Sequence, residues 1–188
     1  MVPIRIRNEA SGCSKIVYGI IDTGADRDVI SEEVTKDLAI ETKATDMRVI
    51  TVENEIVSKR TTASFTIESI DESYRANVND GLVAKLLCND ISPSRRNLEG
   101  YHHLKHIQFD DIEAEISIII SAAHFRASIP KEVRKAEDCS LLAYRCAWGW
   151  TLTGSCKGSS SNAAAIGAIS VCDEPLDENL RKSTRAHC

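Results

Sequence analysis

From Val2 to Ile70 the chain is written mainly in the two-residue period of β-strands. Val2, Ile4 and Ile6 point one way and Arg5 and Arg7 the other, which predicts a half-buried strand. Turn formers follow from Asn8 to Ser14, with Gly12 among them. Ile16-Val17-Tyr18-Gly19-Ile20-Ile21 is then nearly continuous in apolar residues, as suits a strand covered on both faces. It runs straight into Asp22-Thr23-Gly24-Ala25. After the short apolar piece Val29-Ile30, Ser31 is placed to cap a short helix with Glu32 and Glu33 in its first turn and Val34 and Leu38 on one face.

Period two returns between Arg48 and Ile70. Ile50, Val52, Ala63, Phe65 and Ile67 are apolar, and Thr62, Ser64, Thr66 and Glu68 lie between them, so a long β-hairpin or meander is expected. Gly81 to Leu87 predicts one more strand, and Asn89 to Gly100, with Pro93, is loop chemistry. Ile116 to Ile120 is a second β-branched run. Ser121 to Arg126 then predicts a short helix stopped by Pro130. Trp148 to Gly154 predicts a last strand with both indoles on one face for core or interface packing. From Ser155 onward, Lys157-Gly158-Ser159-Ser160-Ser161 and an Ala-rich stretch predict a linker, followed by a polar tail. The expected organisation is one domain over residues 1–154 and a linker or tail over 155–188.

Composition narrows the partners. The 188 residues carry a formal net charge of -5 and no long run of Lys or Arg, so a polypeptide partner is expected rather than nucleic acid. The apolar stretch around Ile116 to Ala123 is too short to span a bilayer, and Met1-Val2-Pro3-Ile4-Arg5 shows no apolar signal region; an intracellular, cytoplasmic chain away from membranes is expected. The Cys count of 7 is odd and includes no Cys-x-x-Cys pair, which argues against a disulfide framework or a zinc cage.

Asp22-Thr23-Gly24 directly after a buried strand is the strongest chemical feature. Carboxylate catalysis on a peptide needs an acid on a tight turn that glycine permits, backed by a rigid strand, and the Thr23 hydroxyl is placed to help fix that turn. The other clusters are weaker. His102, His103 and His106 lack an acidic or cysteine ligand at a diagnostic spacing, so no metal site is expected. His124 reads as a partly packed core histidine rather than half of a nucleophilic pair. Asp110, Asp111, Glu113 and Glu115 read as a solvated run before a buried strand.

Three segments in this order resemble the motifs of the aspartic-peptidase region in BEL/Pao-type retrotransposon polyproteins: Ile20-Ile21-Asp22-Thr23-Gly24-Ala25-Asp26, Ile118-Ile119-Ile120-Ser121-Ala122-Ala123-His124-Phe125, and Trp148-Gly149-Trp150-Thr151-Leu152-Thr153-Gly154. Val2 to Asn8 is similar to that family's first strand, so the resemblance spans residues 1–154. It implies an all-β fold: a retropepsin-like acid-protease barrel with a flap hairpin and one or two short helices, followed by the tail. It also implies a homodimeric endopeptidase that processes its own polyprotein without a cofactor. Asp22 would be catalytic, supported by Thr23, Gly24 and Ala25, and Asp26, Val52, Glu53 and Asn54 would contact substrate. One Asp-Thr-Gly per chain means that a second copy must supply the other carboxyl, the two sharing a proton.

The second motif departs from the family pattern, which reads apolar-apolar-Gly-Ala-Asp-His-Phe. Ser121 stands in place of the glycine and Ala123 in place of the acid. A buried hydroxyl without a partner costs about 1–3 kcal/mol, so these residues raise the alternative of a catalytically inactive retropepsin fold kept for dimerisation or peptide binding. The flap candidate, Val49 to Ile56, lacks glycine, although Asn54 tolerates a left-handed turn.

Overall fold

The computed structural model describes residues 1–50, 55–85, 98, 101–110, 112–136 and 141–154. In chain order its elements are β1 (Val2–Arg7), β2 (Ser14–Ile21), β3 (Val29–Ser31), α1 (Glu32–Asp37), β4 (Thr42–Ile50), β5 (Glu55–Ser69), β6 (Arg75–Ala84), β7 (Ile116–Ile120), α2 (Phe125–Ser128), β8 (Glu132–Arg134), β9 (Leu142–Cys146) and β10 (Gly149–Thr153). Two single 3-10 turns lie at His102–Leu104 and Ala122–His124.

Strand neighbours run β1-β2-β7-β3-β6-β5, and β5 pairs back onto β1, so six strands close into a barrel. The β4 strand hangs on the N-terminal part of β5, outside the ring. The protein is mostly β, with few and short helices. Closure satisfies the ladder groups that an open sheet would leave at its edges.

The alternation in β1 buries Val2, Ile4 and Ile6 completely. In β2, Val17 to Ile20 are buried as expected, while Ile16 at the strand's outer end is 39% exposed. β2 lies parallel to β7, with Gly19 opposite Ile118. A Cβ on Gly19 would sit 3.2 Å from both Ile118 Cγ2 and Ile120 Cδ1, so a larger residue would push these strands' side chains apart. All five residues of β7 are buried.

On β5, Ala63, Phe65 and Ile67 reach the core, and a register shift against β6 lies between Ala63 and Phe65. Thr62, Thr66 and Glu68, expected on the solvent side, are buried too. Glu68 is covered by Arg5, Arg7 and Arg75, whose nitrogens lie 3.5–3.6 Å from its carboxylate. The strand expected from Gly81 begins earlier, at Arg75, because the β5 ladder extends a segment that gives the core little more than Val78. Its expected end at Leu87 falls outside the described residues.

Ser31 caps α1, its hydroxyl accepting from the Val34 N–H at 3.3 Å, and Val34 and Leu38 face the core. The other end is held by the buried Asn8, whose Nδ2 donates to the carbonyls of Leu38 and Ala39 at 2.9 and 3.0 Å.

The C-terminal strands form a separate sheet in the order β10-β9-β8. Here the expected single face of tryptophans is corrected. Trp148 sits in the β9–β10 turn and enters the barrel core, edge-on to Tyr74 with centroids 4.7 Å apart, whereas Trp150 packs beside Leu104, Leu141 and Ala143. Gly149, at φ +118, redirects the backbone between them, so strand alternation does not apply. His102 and His103 occupy a 3-10 turn, and His103 Nε2 lies 3.0 Å from the Leu141 carbonyl oxygen. Among the described residues no helix is long and apolar enough to cross a membrane. The expected linker and tail, 155–188, lie outside the described residues.

Candidate active site

β2 delivers Asp22 to the barrel's end, where it is half-buried. Its N–H donates to the Ile120 carbonyl at 2.9 Å, which continues the β2–β7 pairing one residue past the strand. Its Oδ1 accepts the Gly24 N–H at 2.9 Å, and its carbonyl accepts the Ala25 N–H at 3.3 Å. The carboxylate therefore folds its own turn, as Asp side chains do. Glycine has a different use here from the one expected. Gly24 is not in the left-handed region, but a Cβ there would approach Asp22 Oδ1 to 3.2 Å. Thr23 is exposed.

Ala25, half-buried, ties the turn to the 3-10 turn that follows β7, its carbonyl accepting the Ala122 N–H at 2.9 Å. Asp26 and Arg27 are exposed. Of the expected substrate contacts, Asp26 thus lies on the same loop as Asp22, while Val52, Glu53 and Asn54 fall outside the described residues. On either side of the undescribed residues, β4 and β5 pair from Thr42 opposite Ala63 to Ile50 opposite Glu55.

Asp28 was not anticipated. It is 6% exposed and sits where the loop enters β3. Its backbone carbonyl accepts the Leu82 N–H of β6 at 2.8 Å, Oδ1 accepts the Ser121 N–H at 2.8 Å, and Oδ2 is 3.0 Å from His124 Nε2. Burial pushes this carboxyl up, but the hydrogen bonds from His124 and Ser121, with the His124 charge, outweigh it and hold the carboxyl below its ordinary value of 3.8. An ionised carboxylate only accepts, so Nε2 carries the proton and donates. His124 is partly packed, as expected, and it has in addition a carboxylate partner that the sequence did not announce. It pairs with a buried charge and stands edge-on to Trp148, centroids 6.0 Å apart.

Ser121 is corrected as well. It is buried, yet its hydroxyl has a partner: it caps the 3-10 turn by accepting the Ala123 N–H at 3.3 Å. The cost assigned to an orphan hydroxyl does not arise. Ala123, in the place of an acid, is exposed and displaces nothing from the core.

One signal in the sequence pointed to Asp28. It lies two residues before Ile30, and strand periodicity puts i and i+2 on one face, so the burial of Ile30 carries Asp28 inward. Its partners, 93 and 96 residues away, could come only from the fold. Among the described residues no group of three or more His, Cys, Asp or Glu side chains could hold a metal ion. One half-buried carboxylate on a braced turn can accept a proton or orient a water, but acid-base hydrolysis of a peptide needs a second group in the opposite protonation state. No family model, curated protein or solved structure matches the chain.

Proposed function

We propose that this domain is a retropepsin-like aspartic endopeptidase of a BEL/Pao-type retrotransposon polyprotein, working as a homodimer around two copies of Asp22. The observation that supports it most is the mounting of Asp22: an acid on a self-folded turn at the end of a buried barrel strand, braced from the residues that follow β7. The resembling segments meet at this point, since Asp22 to Ala25 is bonded to Ile120 and Ala122 of the second motif. In the assembled site one carboxylate activates water while its protonated partner polarises the scissile carbonyl, the pair sharing a proton because two close carboxylates do not both ionise cheaply. The paired β4 and β5 strands take the place of a flap, and the substrate is an extended polypeptide.

The inactive-module reading rests on Ser121 and Ala123, and the hydrogen-bonded hydroxyl of Ser121 weakens the argument from an unpartnered buried hydroxyl. The deciding experiment is peptide hydrolysis from about pH 3 to 8, spanning the carboxyl and near-neutral range, at several protein concentrations and with a pepstatin-type transition-state mimic. The expected result is a bell with an acidic optimum, inhibition by the mimic, and specific activity that falls on dilution. Absence of cleavage by a well-formed dimer would favour the binding module, and an alkaline optimum insensitive to the mimic would exclude paired-carboxyl chemistry.

A further inference from the structure

We infer that Asp28 and His124 form the positioning pair of the Asp22 site, setting where the catalytic carboxylate stands without touching substrate. This rests on reading Asp22 as the reacting group. Three consecutive residues after and including the end of β7 are bonded to the Asp22–Asp28 loop: the Ile120 carbonyl to the Asp22 N–H, the Ser121 N–H to the Asp28 carboxylate, and the Ala122 N–H to the Ala25 carbonyl. Two of these links are backbone to backbone. The middle one is made by a side chain, and it is the one that His124 completes from the next turn.

The loop has little else to hold it. Thr23, Gly24, Asp26 and Arg27 are exposed and Ala25 is only half-buried, so apolar burial does little to fix its path between Asp22 and Asp28. Asp28 is also fastened to β6 through the Leu82 N–H, which makes it the point where β3, β6 and the β7 end are tied together. A buried ion pair is a poor source of stability compared with apolar residues of the same volume, but its hydrogen bonds are directional. An apolar pair could fill this space and would leave the loop free to shift along β7. The geometry thus favours a role in placement over a role in bulk stability.

The test uses the full chain with His124→Ala, His124→Gln and, as a reference for general destabilisation, Ile67→Ala in the β5 core. Gln carries an amide N–H near the position of Nε2 and can still donate to Asp28. Two readouts are taken: amide hydrogen exchange, and the separate kcat and KM for peptide hydrolysis. His124→Ala should lower protection of the Asp22 and Ala122 amides well beyond the loss in the β1–β2 ladder, and should reduce kcat by about a hundredfold with KM little changed, the scale expected of a misplaced group. His124→Gln should recover most of both, and Ile67→Ala should lower protection across the barrel without that selectivity. Uniform loss of protection in His124→Ala, or a Gln variant no better than Ala, would overturn the proposal. If His124→Ala does not fold, Asp28→Asn, which keeps an acceptor for the Ser121 N–H and loses the charge, is judged by the same exchange criterion. If the wild-type chain cleaves no peptide while the exchange pattern stays selective, the peptidase reading fails and the placement of the loop stands.

Discussion

The loop at Asp22 and the stretch Thr42 to Asp46 of β4 both face solvent, yet they are held by different physics. In the loop, Thr23, Gly24, Asp26 and Arg27 are exposed, but its two ends meet a buried carboxylate and a row of directional bonds from Ile120, Ser121 and Ala122. In the hairpin, Thr42 to Asp46 of β4 are exposed on both faces, and the strand is carried by its ladder with β5 and by a hydroxyl contact of 3.4 Å between Thr45 and Thr62. A ladder without apolar cover opens at low cost, whereas a braced turn keeps one geometry until its buried partners are lost. Exposure alone does not separate a placed segment from a yielding one. What separates them is whether a buried polar hub lies underneath.

The largest effect should come from Asp22→Asn. Hydrolysis should fall by about 10³-fold or more, the scale of losing an acid-base group, while the melting temperature stays nearly unchanged because the amide oxygen still accepts the Gly24 N–H. A parallel assay of cleavage and thermal unfolding checks both halves. Next in size, His124→Ala leaves the Asp28 carboxylate without its side-chain partner and should open the Asp22–Asp28 loop, the loss of amide protection at Asp22 and Ala122 exceeding the fall in global stability read by urea unfolding. A loss within experimental error of zero would mean that water replaces the imidazole at no cost, and the contrast with the hairpin would weaken.

Ser121→Gly should lower stability by about 1 kcal/mol, since it deletes the cap of the 3-10 turn, and should not raise activity. Increased cleavage in this variant would restore the view that Ser121 burdens the site. Acidity probes the same hub. The Asp28 carboxyl titrates below its unfolded value of 3.8, so its contribution is complete above that pH and is lost as pH falls through the lower, folded value. Urea midpoints measured from about pH 2 to 6 should therefore drop less steeply on the acid side in Asp28→Asn than in the wild type. The smallest effect belongs to the hairpin: Thr45→Ala should change stability by less than about 0.5 kcal/mol, and a loss as large as that of His124→Ala would show that β4 is not the lightly held partner in this comparison.

Local pattern was enough to place much of the framework. Strand period marked Val2, Ile4 and Ile6 as core, the hydroxyl of Ser31 and the two acids after it marked the start of α1, and the β-branched run of Ile116 to Ile120 marked the buried β7. These properties depend on neighbours in sequence, which is why they can be read from it. The split of Trp148 from Trp150 was harder, because alternation fails where Gly149 takes a positive φ that only the hairpin's path demands. The start of β6 at Arg75 was likewise imposed by β5 rather than announced by its own side chains.

At the candidate site the sequence by itself determined the presence of Asp22 on a turn after a buried strand. Only the tertiary structure decided what braces it. Ser121 looked like a misfit because its hydroxyl had no visible partner, and His124 looked like packing because its carboxylate lies 96 residues earlier. Both acquire their roles when β7 is laid parallel to β2 and antiparallel to β3, bringing residues 120–122 against the loop from Asp22 to Asp28. Propensity and periodicity act over a few residues, but the cost of burying a charge is set by whichever partners the closed barrel brings within hydrogen-bonding distance.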